Sequence, residues 1–268
     1  MTELSIVIVS FNARADLSAC LASLRAAPPA MRHAIVVVDN ASTDGSVEAA
    51  RAVAGVTVIA LERNAGFAAA NNAGIKASDG ELILLLNSDT LVPPGAIDAL
   101  AGRLREVAEA AVAGPRLVDG EGRPELSFGD MISPMVEWRR KRLQQRFARG
   151  DAAATQWVNE ATNREQLVDW VSGACLLVWR RDAEAAGLLD ERFFLYTEDV
   201  DFCDAIRRRG RKVLFTPVAT VTHLRGRSRA SQPQASRRAY RRSHVAFYAK
   251  HHPAWAPVLR LYLRVKGE

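Results

Sequence analysis

Asp89 is the last residue of a short polar cluster, 87–89 (Asn-Ser-Asp), that follows directly on the apolar run 83–86. An apolar run bounded by turn-forming residues is typical of a strand buried on both faces, and in parallel sheets ligands bind beyond the carboxyl ends of such strands. The position of Asp89 therefore predicts that its carboxylate has a binding or catalytic role. The same cluster could instead form an Asx turn that caps the helix expected after Pro94, so the neighbouring segments have to decide.

Polar side chains also follow two earlier apolar runs. Asp39 and Asn40 come after the run 34–38, and Asn64 comes shortly after the run 56–61. A carboxylate at a strand end can accept the N–H of a nucleobase, whereas asparagine and serine side chains can bind ribose hydroxyls. No GxGxxG or GxxxxGK[ST] pattern follows the first strand. These residues therefore indicate a nucleotide-type fold without the usual nucleotide glycines.

A second group of carboxylates lies late in the chain. It consists of Glu198, Asp199, Asp201 and Asp204. A helix is expected at 203–209, and its dipole would favour negative charge in the first turn, which explains the last two carboxylates. The dipole explains Glu198 less well, because this residue precedes the predicted helix beside the apolar run 193–196. We therefore expect a catalytic or ligand-binding role for the pair Glu198 and Asp199.

The elements that must position these residues alternate along the first part of the chain. Strand patterns at 4–9, 34–38, 56–61 and 83–86 are separated by helical patterns, which predicts a parallel, doubly wound α/β sheet with its polar loops on one edge. The alternation stops after Arg116, and we expect the segment 119–162 to be an insertion over the site in which residues 138–142 form a mobile basic helix or loop. Further strands are expected within 168–179 and at 213–216 and 220–223.

Size and composition fit one large globular domain. The chain has 268 residues, of which 49% are hydrophobic and 25% charged. No apolar stretch approaches the roughly 20 residues that span a bilayer, and the chain begins with a strand pattern instead of a leader, so we expect a cytoplasmic protein. Cys20, Cys175 and Cys203 are far apart in apolar or helical patterns, and we expect them to be buried without a disulfide or a zinc site.

The net charge of +6 is concentrated near the C-terminus, from Arg225 to Arg242 and on to Lys266. Such a patch could face nucleic acid, anionic lipid or a phosphate-bearing substrate, or could reflect the base composition of the gene. The segments 244–250 and 255–265 mix aromatic, leucine and basic residues. As a helix this tail would be amphipathic and would suit an anionic membrane surface, or it would pack on the sheet with its basic face in solvent.

Seven motifs occur in order along the chain. They are Ser-Phe-Asn at 10–12, Val-Asp-Asn-Ala-Ser-Thr-Asp-Gly-Ser at 38–46, Asn-Ala-Gly-Phe-Ala-Ala-Ala-Asn-Asn at 64–72, Leu-Leu-Leu-Asn-Ser-Asp at 84–89, Ser-Gly-Ala at 172–174, Tyr-Thr-Glu-Asp-Val-Asp at 196–201 and Thr-His at 222–223. Over residues 4–250 the chain resembles the family 2 glycosyltransferases of GT-A fold, and within them the rhamnosyltransferase-like bacterial branch. The resemblance implies a mostly parallel central sheet flanked by helices, an inserted acceptor-side loop region and a C-terminal helical tail.

The resemblance also implies a site for a nucleoside-diphosphate sugar. Asp39 matches the family's nucleobase-binding carboxylate, and 87–89 match its DXD motif, whose last carboxylate, Asp89, binds a divalent metal, Mn²⁺ or Mg²⁺. Asn87 replaces the first aspartate of that motif, and its carbonyl oxygen can still coordinate the ion or bind ribose. His223 matches a metal-binding histidine of some members, or is structural. The implied donor-site residues are Ser10, Asn12, Asp39, Asn40, Ser42, Asn64, Asn71, Asn87, Ser88 and Asp89.

On the acceptor side, Asp199 matches the family's general base. It would take the proton of the incoming hydroxyl on the face opposite the leaving diphosphate, so the anomeric centre would be inverted. Glu198 is implied beside it in catalysis and in acceptor binding. Trp170 and Gly173 are further candidates to contact the acceptor sugar.

We therefore predict an inverting, metal-dependent transferase that moves a hexose or deoxyhexose, with rhamnose favoured, to a saccharide or lipid-linked saccharide in cell-surface polysaccharide synthesis. The expected GT-A domain spans 1–243, with a nucleotide-binding half at 1–117 and an acceptor half at 118–243, followed by the tail 244–268. Nucleic acid is not an expected partner, whereas peripheral contact with the cytoplasmic membrane and a homodimer stay open. The alternatives are a sugar-nucleotide pyrophosphorylase and a non-enzymatic protein that binds nucleic acid or a membrane surface.

Overall fold

The computed structural model describes residues 2–224 and 233–265. Its strands are β1 (Leu4–Ser10), β2 (His33–Asp39), β3 (Val56–Ala60), β4 (Leu82–Asn87), β5 (Thr90–Leu91), β6 (Ala110–Val118), β7 (Phe128–Gly129), β8 (Gln166–Val168), β9 (Trp170–Val171), β10 (Cys175–Trp179) and β11 (Lys212–His223). Its helices are α1 (Arg14–Ala26), α2 (Ser46–Arg51), α3 (Phe67–Lys76), α4 (Ala96–Glu106), α5 (Pro134–Ala148), α6 (Ala152–Thr162), α7 (Arg180–Ala185), α8 (Glu198–Arg207), α9 (Pro233–His251) and α10 (Ala256–Val265).

Within the described residues, one central sheet of nine strands runs in the order β3-β2-β1-β4-β10-β6-β11-β5, and β8 pairs with β11. β1 is parallel to both of its neighbours, so that Ile8 lies opposite Val37 on one side and Leu86 on the other. β10 runs antiparallel to β4 and β6. The predicted mostly parallel α/β sheet is confirmed, and the carboxyl ends of β1, β2 and β4 lie together at one edge.

Helices cover both faces of the sheet and bury an apolar cluster on each. On one face Leu17 of α1 and Leu100 of α4 join a cluster that includes Ile8. On the other face Phe202 of α8 joins a cluster that includes Val7. Successive side chains of a strand point to opposite faces, so neighbouring residues of β1 serve the two clusters. This explains why the first strands read as unbroken apolar runs.

The segment 119–162 contains the basic helix that was one of the two alternatives expected at 138–142, and a second helix that was not expected. After β7 it forms the helices α5 and α6. Ser133 caps α5 by accepting a hydrogen bond from a backbone amide, and Asp151 caps α6 in the same way. α6 buries Val158, whereas α5 has no fully buried residue. The polar composition of this segment therefore reflects exposed helices.

Three boundaries in the second half differ from the sequence prediction. The expected strand 168–179 divides at 172–174 into β9 and β10, and β9 pairs with β7 in a separate small sheet. The strands expected at 213–216 and 220–223 form the single strand β11, whose register against β6 shifts between Thr216 and Thr220. α8 begins at Glu198, earlier than the expected start at 203, so this carboxylate belongs to the first turn of the helix.

The C-terminal segment is only partly a separate tail. α9 runs across residue 244, and Phe247 and Tyr248 of this helix are buried, so it packs on the domain as the alternative interpretation held. α10 follows and keeps an exposed apolar face. The basic residues at 225–232 and 266–268 lie outside the described part of the chain. Among the helices that the structure describes, none combines the length and apolar character needed to cross a membrane.

Cys20, Cys175 and Cys203 are free and buried, as predicted. Burial raises the pKa of each thiol to about 12, because a thiolate is poorly solvated in an apolar core. The three thiols are therefore unreactive side chains of the core.

Candidate active site

The carboxyl end of β2 places Asp39 in a buried position. Its Oδ1 accepts a hydrogen bond from the amide of Ser42 at 2.8 Å, whereas its Oδ2 is buried without a hydrogen-bond partner among the described residues. The hydroxyl of Ser10, at the end of β1, is also buried and has no hydrogen-bond partner among the described residues. Because buried polar atoms are nearly always paired, these two oxygens indicate a ligand that contacts them.

Three predicted donor-site asparagines hold loops together. The backbone amide of Asn12 donates to Ser42 Oγ at 2.8 Å. The side chain of Asn40 donates to the carbonyl of Gly66 at 3.2 Å, and that of Asn64 accepts from the amide of Gly66 at 3.0 Å. These contacts join the loops after β1, β2 and β3 into one rim. The asparagines therefore shape the pocket in addition to any ligand contact.

Asn71 lies in α3 and Gly66 just before it, where this helix contacts the segment around Phe194 that leads to α8. Asn71 donates to the carbonyl of Phe67 at 2.9 Å, and its own Oδ1 is buried without a described partner. Gly66 has φ +92°, and a Cβ there would lie 2.6 Å from the carbonyl oxygen of Phe194. Glycine is required by both the backbone conformation and this close approach. The loop before α8 is thereby fastened to the donor-side half.

The cluster 87–89 lies next to His223. Nε2 of His223 is 3.3 Å from Asp89 Oδ1 and 3.4 Å from Asn87 Nδ2. The other ring nitrogen, Nδ1, is 3.2 Å from Oε2 of Glu125. Asp89, Glu125, His223 and the intervening Ser88 are all buried. The structure thus brings the predicted metal-site residues together and adds a carboxylate that the sequence did not indicate.

The side chains of Asn87, Asp89 and His223 fit a divalent ion. Oδ1 of Asn87 is buried without a described hydrogen-bond partner. Nε2 of His223 and Oδ1 of Asp89 are 3.3 Å apart, near the separation of about 3 Å between adjacent ligand atoms on an octahedral ion with bonds of about 2.1 Å. Within residues 2–224 and 233–265, no three His, Cys, Asp or Glu side chains converge on one metal position. An ion here would therefore need further ligands such as diphosphate oxygens and water.

The protonation of His223 follows from its neighbours. Burial lowers the pKa of an imidazole, but hydrogen bonds to Asp89 and Glu125 outweigh burial and raise the pKa of His223 to about 9. Without a metal, the ring is therefore protonated at neutral pH and balances part of the carboxylate charge. A histidine ligand must be neutral, so metal binding at Nε2 would release this proton.

The carboxylate pair at 198–199 opens α8 after a strained turn. Tyr196 and Thr197 both have left-handed backbone conformations, with φ of 70° and 68°, which are costly for residues with a side chain and cluster at functional sites. The turn brings Asp199 Oδ2 to the amide of Gly173 at 2.9 Å, while its Oδ1 accepts from the amide of Val200 at 2.9 Å. The backbone therefore fixes the orientation of this carboxylate.

The two carboxyl groups of the pair differ in how far their pKa values are raised. Burial, together with the charge of Asp199, raises the pKa of Glu198 well above its usual range. Burial also raises the pKa of Asp199, but the amides of Gly173 and Val200 and the charge of Arg140 oppose that rise. The rise is larger at Glu198, so Glu198 keeps its proton to higher pH and Asp199 ionises first as the pH increases. Asp199 is the member that can accept a proton.

A short segment, 172–174, links the metal-site candidates to Asp199. The amide of Gly173 donates to Asp199, and the carbonyl of the next residue, Ala174, accepts the amide of Asn87 at 2.9 Å. A Cβ at Gly173 would lie 3.4 Å from the Cβ of Asp199, which leaves little space. The two groups of predicted site residues are thus held by consecutive residues of one segment. Contact of Gly173 with an acceptor stays a prediction.

Trp170 is not placed to stack on an acceptor sugar. The residue is 8% exposed, and the guanidinium of Arg140 lies over the ring at 4.6 Å. The indole N–H already donates to the carbonyl of Asp130 at 2.9 Å. The same guanidinium donates to the carbonyls of Leu126 and Phe128. The ring is therefore covered by α5, and its role here is to anchor that helix.

Glu125 and Arg140 are the site residues that sequence reasoning missed. Both lie in 119–162, where the expected insertion offered no fixed positions. Glu125 is 98 residues from His223 along the chain, so no local spacing connects them. The alternation of polar and apolar residues at 125–128 is a signal that could have indicated a short half-buried strand here.

Comparison with known proteins agrees with this geometry. The family model described as Glycosyl transferase family 2 matches residues 5–170. The chain is 30% identical over 269 residues to the N-acetylglucosaminyl-diphospho-decaprenol L-rhamnosyltransferase of Mycobacterium tuberculosis (strain ATCC 25618 / H37Rv), covering 95% of this chain and 87% of that protein.

Two solved structures share the fold. The mannosyltransferase PcManGT from Pyrobaculum calidifontis, in complex with GDP-Man and Mn²⁺, has a TM-score of 0.61 at 18% identity, covering 96% of this chain and 68% of that one. GalNAc-T7, with UDP, GalNAc and Mn²⁺, has a TM-score of 0.61 at 19% identity, covering 83% of this chain and 44% of that one. With the family model matching more than half of its length, the chain belongs to the family 2 glycosyltransferases and has their GT-A fold.

Proposed function

We propose that this glycosyltransferase moves a hexose or deoxyhexose, rhamnose first, from a nucleoside diphosphate to a hydroxyl of a saccharide or lipid-linked saccharide, with inversion. The observation that carries the proposal is the segment 172–174, which contacts Asn87 on one side and Asp199 on the other. Groups held by adjacent residues can act on one sugar carbon at the same time. Rhamnose and a lipid-linked acceptor are favoured because the mycobacterial relative is named for both.

The donor half would hold the nucleotide and its diphosphate. Asp39 would accept an N–H of the base, beside the unpaired hydroxyl of Ser10. Asn87, Asp89 and His223 would hold Mn²⁺ or Mg²⁺. When bound, such an ion supplies positive charge against the diphosphate that leaves. Mn²⁺ in two structures of the same fold supports a divalent metal here.

The acceptor half would supply the base. Asp199 would take the proton from the incoming hydroxyl on the side of the sugar opposite the diphosphate, which inverts the anomeric centre. When protonated, which its raised pKa favours, the carboxyl of Glu198 would donate a hydrogen bond to an acceptor oxygen, since its Oε2 is buried without a described partner. The contacts of Gly173 with Asp199 would hold the base in place for this step.

A donor panel tests the proposal. The full chain is incubated with dTDP-rhamnose, UDP-sugars and GDP-sugars with Mn²⁺ or Mg²⁺, and nucleoside diphosphate release and thermal stabilisation are measured. We expect one donor to stabilise the protein and to be consumed when acceptor is added. Asp89→Asn and Asp199→Asn should lose transfer, whereas Asp79→Asn, an exposed turn residue, should not. Stabilisation by no donor, with or without metal, would refute the proposal.

The family match favours transfer over the two alternatives from the sequence. A pyrophosphorylase would form the sugar nucleotide from a sugar phosphate and a nucleoside triphosphate, and the same assay with those substrates detects it. A non-enzymatic nucleic-acid or membrane binder would keep its binding after Asp89 and Asp199 are replaced, and its binding would fall steeply with salt. Transfer activity that disappears in both variants separates the enzyme from such a binder.

We further propose that α10 contacts an anionic membrane surface. Val258, Leu261, Tyr262 and Val265 are exposed and recur at helical spacing, and Trp255 just before the helix is also exposed. Arg260 and Arg264 lie in the same helix, so its charge complements anionic lipid headgroups. Membrane contact at the cytoplasmic face would bring the site to a lipid-linked acceptor.

Vesicle sedimentation tests this contact. The protein should bind vesicles that contain phosphatidylglycerol and not vesicles of phosphatidylcholine alone, and Leu261→Glu should abolish binding without changing the melting temperature. Val218→Glu, an exposed apolar residue of β11, serves as the matched control. If Leu261→Glu instead dissociates a dimer seen by light scattering, a second copy covers this face and the membrane proposal is wrong.

A further inference from the structure

Glu125 is a buried carboxylate in a position that the backbone holds firmly. Its side chain is 4% exposed. Its amide donates to the carbonyl of Leu117 at 2.9 Å, and its carbonyl accepts the amide of Ser127 at 2.9 Å. The turn that leads to it is closed by Asp119, which accepts the amide of Arg123 at 2.9 Å. The location of this carboxylate is therefore set by the end of β6 and the turn after it.

The two ring nitrogens of His223 face different groups. Nδ1 lies 3.2 Å from Glu125 Oε2, whereas Nε2 lies 3.3 Å from Asp89 Oδ1 and close to Asn87. An imidazole whose Nδ1–H donates to a carboxylate is fixed in rotation about its side chain and presents the lone pair of Nε2. Nε2 is the nitrogen that faces the cluster 87–89. Glu125 and Asp89 thus lie on opposite sides of one ring.

We propose that Glu125 is a positioning residue that aims Nε2 of His223 at the divalent cation held by Asn87 and Asp89. The inference rests on the proposed metal-dependent transfer and adds a residue to it. A carboxylate behind a histidine ligand increases the basicity of the ring and fixes its orientation, and loss of such a partner costs about 10–100-fold in metal affinity. This contribution matters more here because Asn87 gives the cluster one carboxylate where the family motif has two.

A purely structural role explains the position less well. A carboxylate is expensive to bury unless it is paired, and an apolar side chain would fill this place in the turn at a lower desolvation cost. The amide and the carbonyl of Glu125 make the backbone hydrogen bonds to Leu117 and Ser127, so these two bonds do not depend on the carboxylate. A leucine at this position would keep the backbone hydrogen bonds but would remove Oε2, the oxygen that lies 3.2 Å from Nδ1 of His223.

Binding of Mn²⁺ tests the inference without reference to turnover. Free Mn²⁺ is titrated into the full chain in the presence of dTDP, UDP or GDP, whichever stabilises the protein most, and bound ion is measured by electron paramagnetic resonance. Glu125→Leu should weaken Mn²⁺ binding about 10–100-fold. Glu125→Gln keeps an oxygen for Nδ1–H and should weaken it by less. Glu121→Gln, in the same turn and with a side chain that is 72% exposed, is the matched control and should change nothing.

A double-mutant cycle shows whether Glu125 acts through the ring. In a His223→Gln background, Glu125→Leu should cause no further loss of Mn²⁺ affinity, and a full additional loss would overturn the positioning role. Unchanged affinity in Glu125→Leu with the wild type binding Mn²⁺ overturns the inference alone. Absence of Mn²⁺ binding in the wild type with every nucleotide overturns the proposed metal site as well. Should Glu125→Leu not fold, Glu125→Met takes its place, and unchanged Mn²⁺ affinity in that variant overturns the inference.

Discussion

Replacing Glu198 and Asp199 separately should give very different enzymes. Asp199→Asn removes the ionised carboxylate that the amides of Gly173 and Val200 orient, and loss of a positioned base should lower kcat/KM by about 10²–10⁴-fold. That loss corresponds to about 2.7–5.4 kcal/mol of the barrier. Glu198→Gln replaces the carboxyl whose pKa is raised further with a neutral group of the same shape, so its cost should stay below about tenfold, or about 1.4 kcal/mol.

The pH dependence of kcat/KM checks the same assignment. The base works when ionised, so activity is full above the pKa of Asp199 and falls as the pH drops through it. Burial raises this pKa, so the acid limb should lie above the value of about 3.9 that is usual for aspartate. Glu198→Gln should leave the acid limb in place, because a neutral neighbour exerts no charge on Asp199.

The assay measures release of nucleoside diphosphate at saturating donor and limiting acceptor over a range of pH, which gives kcat/KM for the acceptor. Glu184→Gln, at an exposed position of α7, is the control. Thermal melts exclude misfolding of either variant. If Glu198→Gln loses as much activity as Asp199→Asn, Glu198 acts as the base and the charge assignment is wrong. A shift of the acid limb to lower pH in Glu198→Gln would show that Glu198 is ionised in the enzyme.

Three further outcomes follow from the structure. Asp89→Asn should lower kcat/KM at fixed Mn²⁺ by about 100-fold, against less than about tenfold for Asn87→Asp, because Asp89 is the one carboxylate of the cluster 87–89; initial rates compare them. Arg140→Met should raise the acid limb of the pH profile by about half a unit to one unit, since its charge opposes protonation of the base, whereas Arg142→Met on the same helix should not move it. Asp201→Asn should lower the free energy of unfolding in urea by about 3 kcal/mol, because its carboxylate, 3% exposed, pairs with a lysine and a histidine of α9.

The helical insertion shows where local pattern fails. Ser133, Pro134 and Asp151 are ordinary helix-start signals, yet the polar and arginine-rich sequence around them left a helix and a loop both open at 138–142. α5 buries no residue completely, so its apolar periodicity is weak. It is held instead by Arg140, whose contacts with Trp170 and with two carbonyls join residues far apart in sequence. Contacts between residues far apart in the chain produce no periodic pattern of apolar residues in the sequence.

By itself, the sequence determined the parallel half of the sheet and the edge on which Asp39 and Asp89 lie. Buried strands need unbroken apolar runs, and side chains that end such runs must share one edge, so both features are local in origin. Tertiary structure alone decided that His223 stands between Asp89 and Glu125, and that burial raises the pKa of Glu198 further than that of Asp199. Ring orientation and pKa depend on burial and on partners from distant segments, so the spacing of neighbouring residues predicts neither.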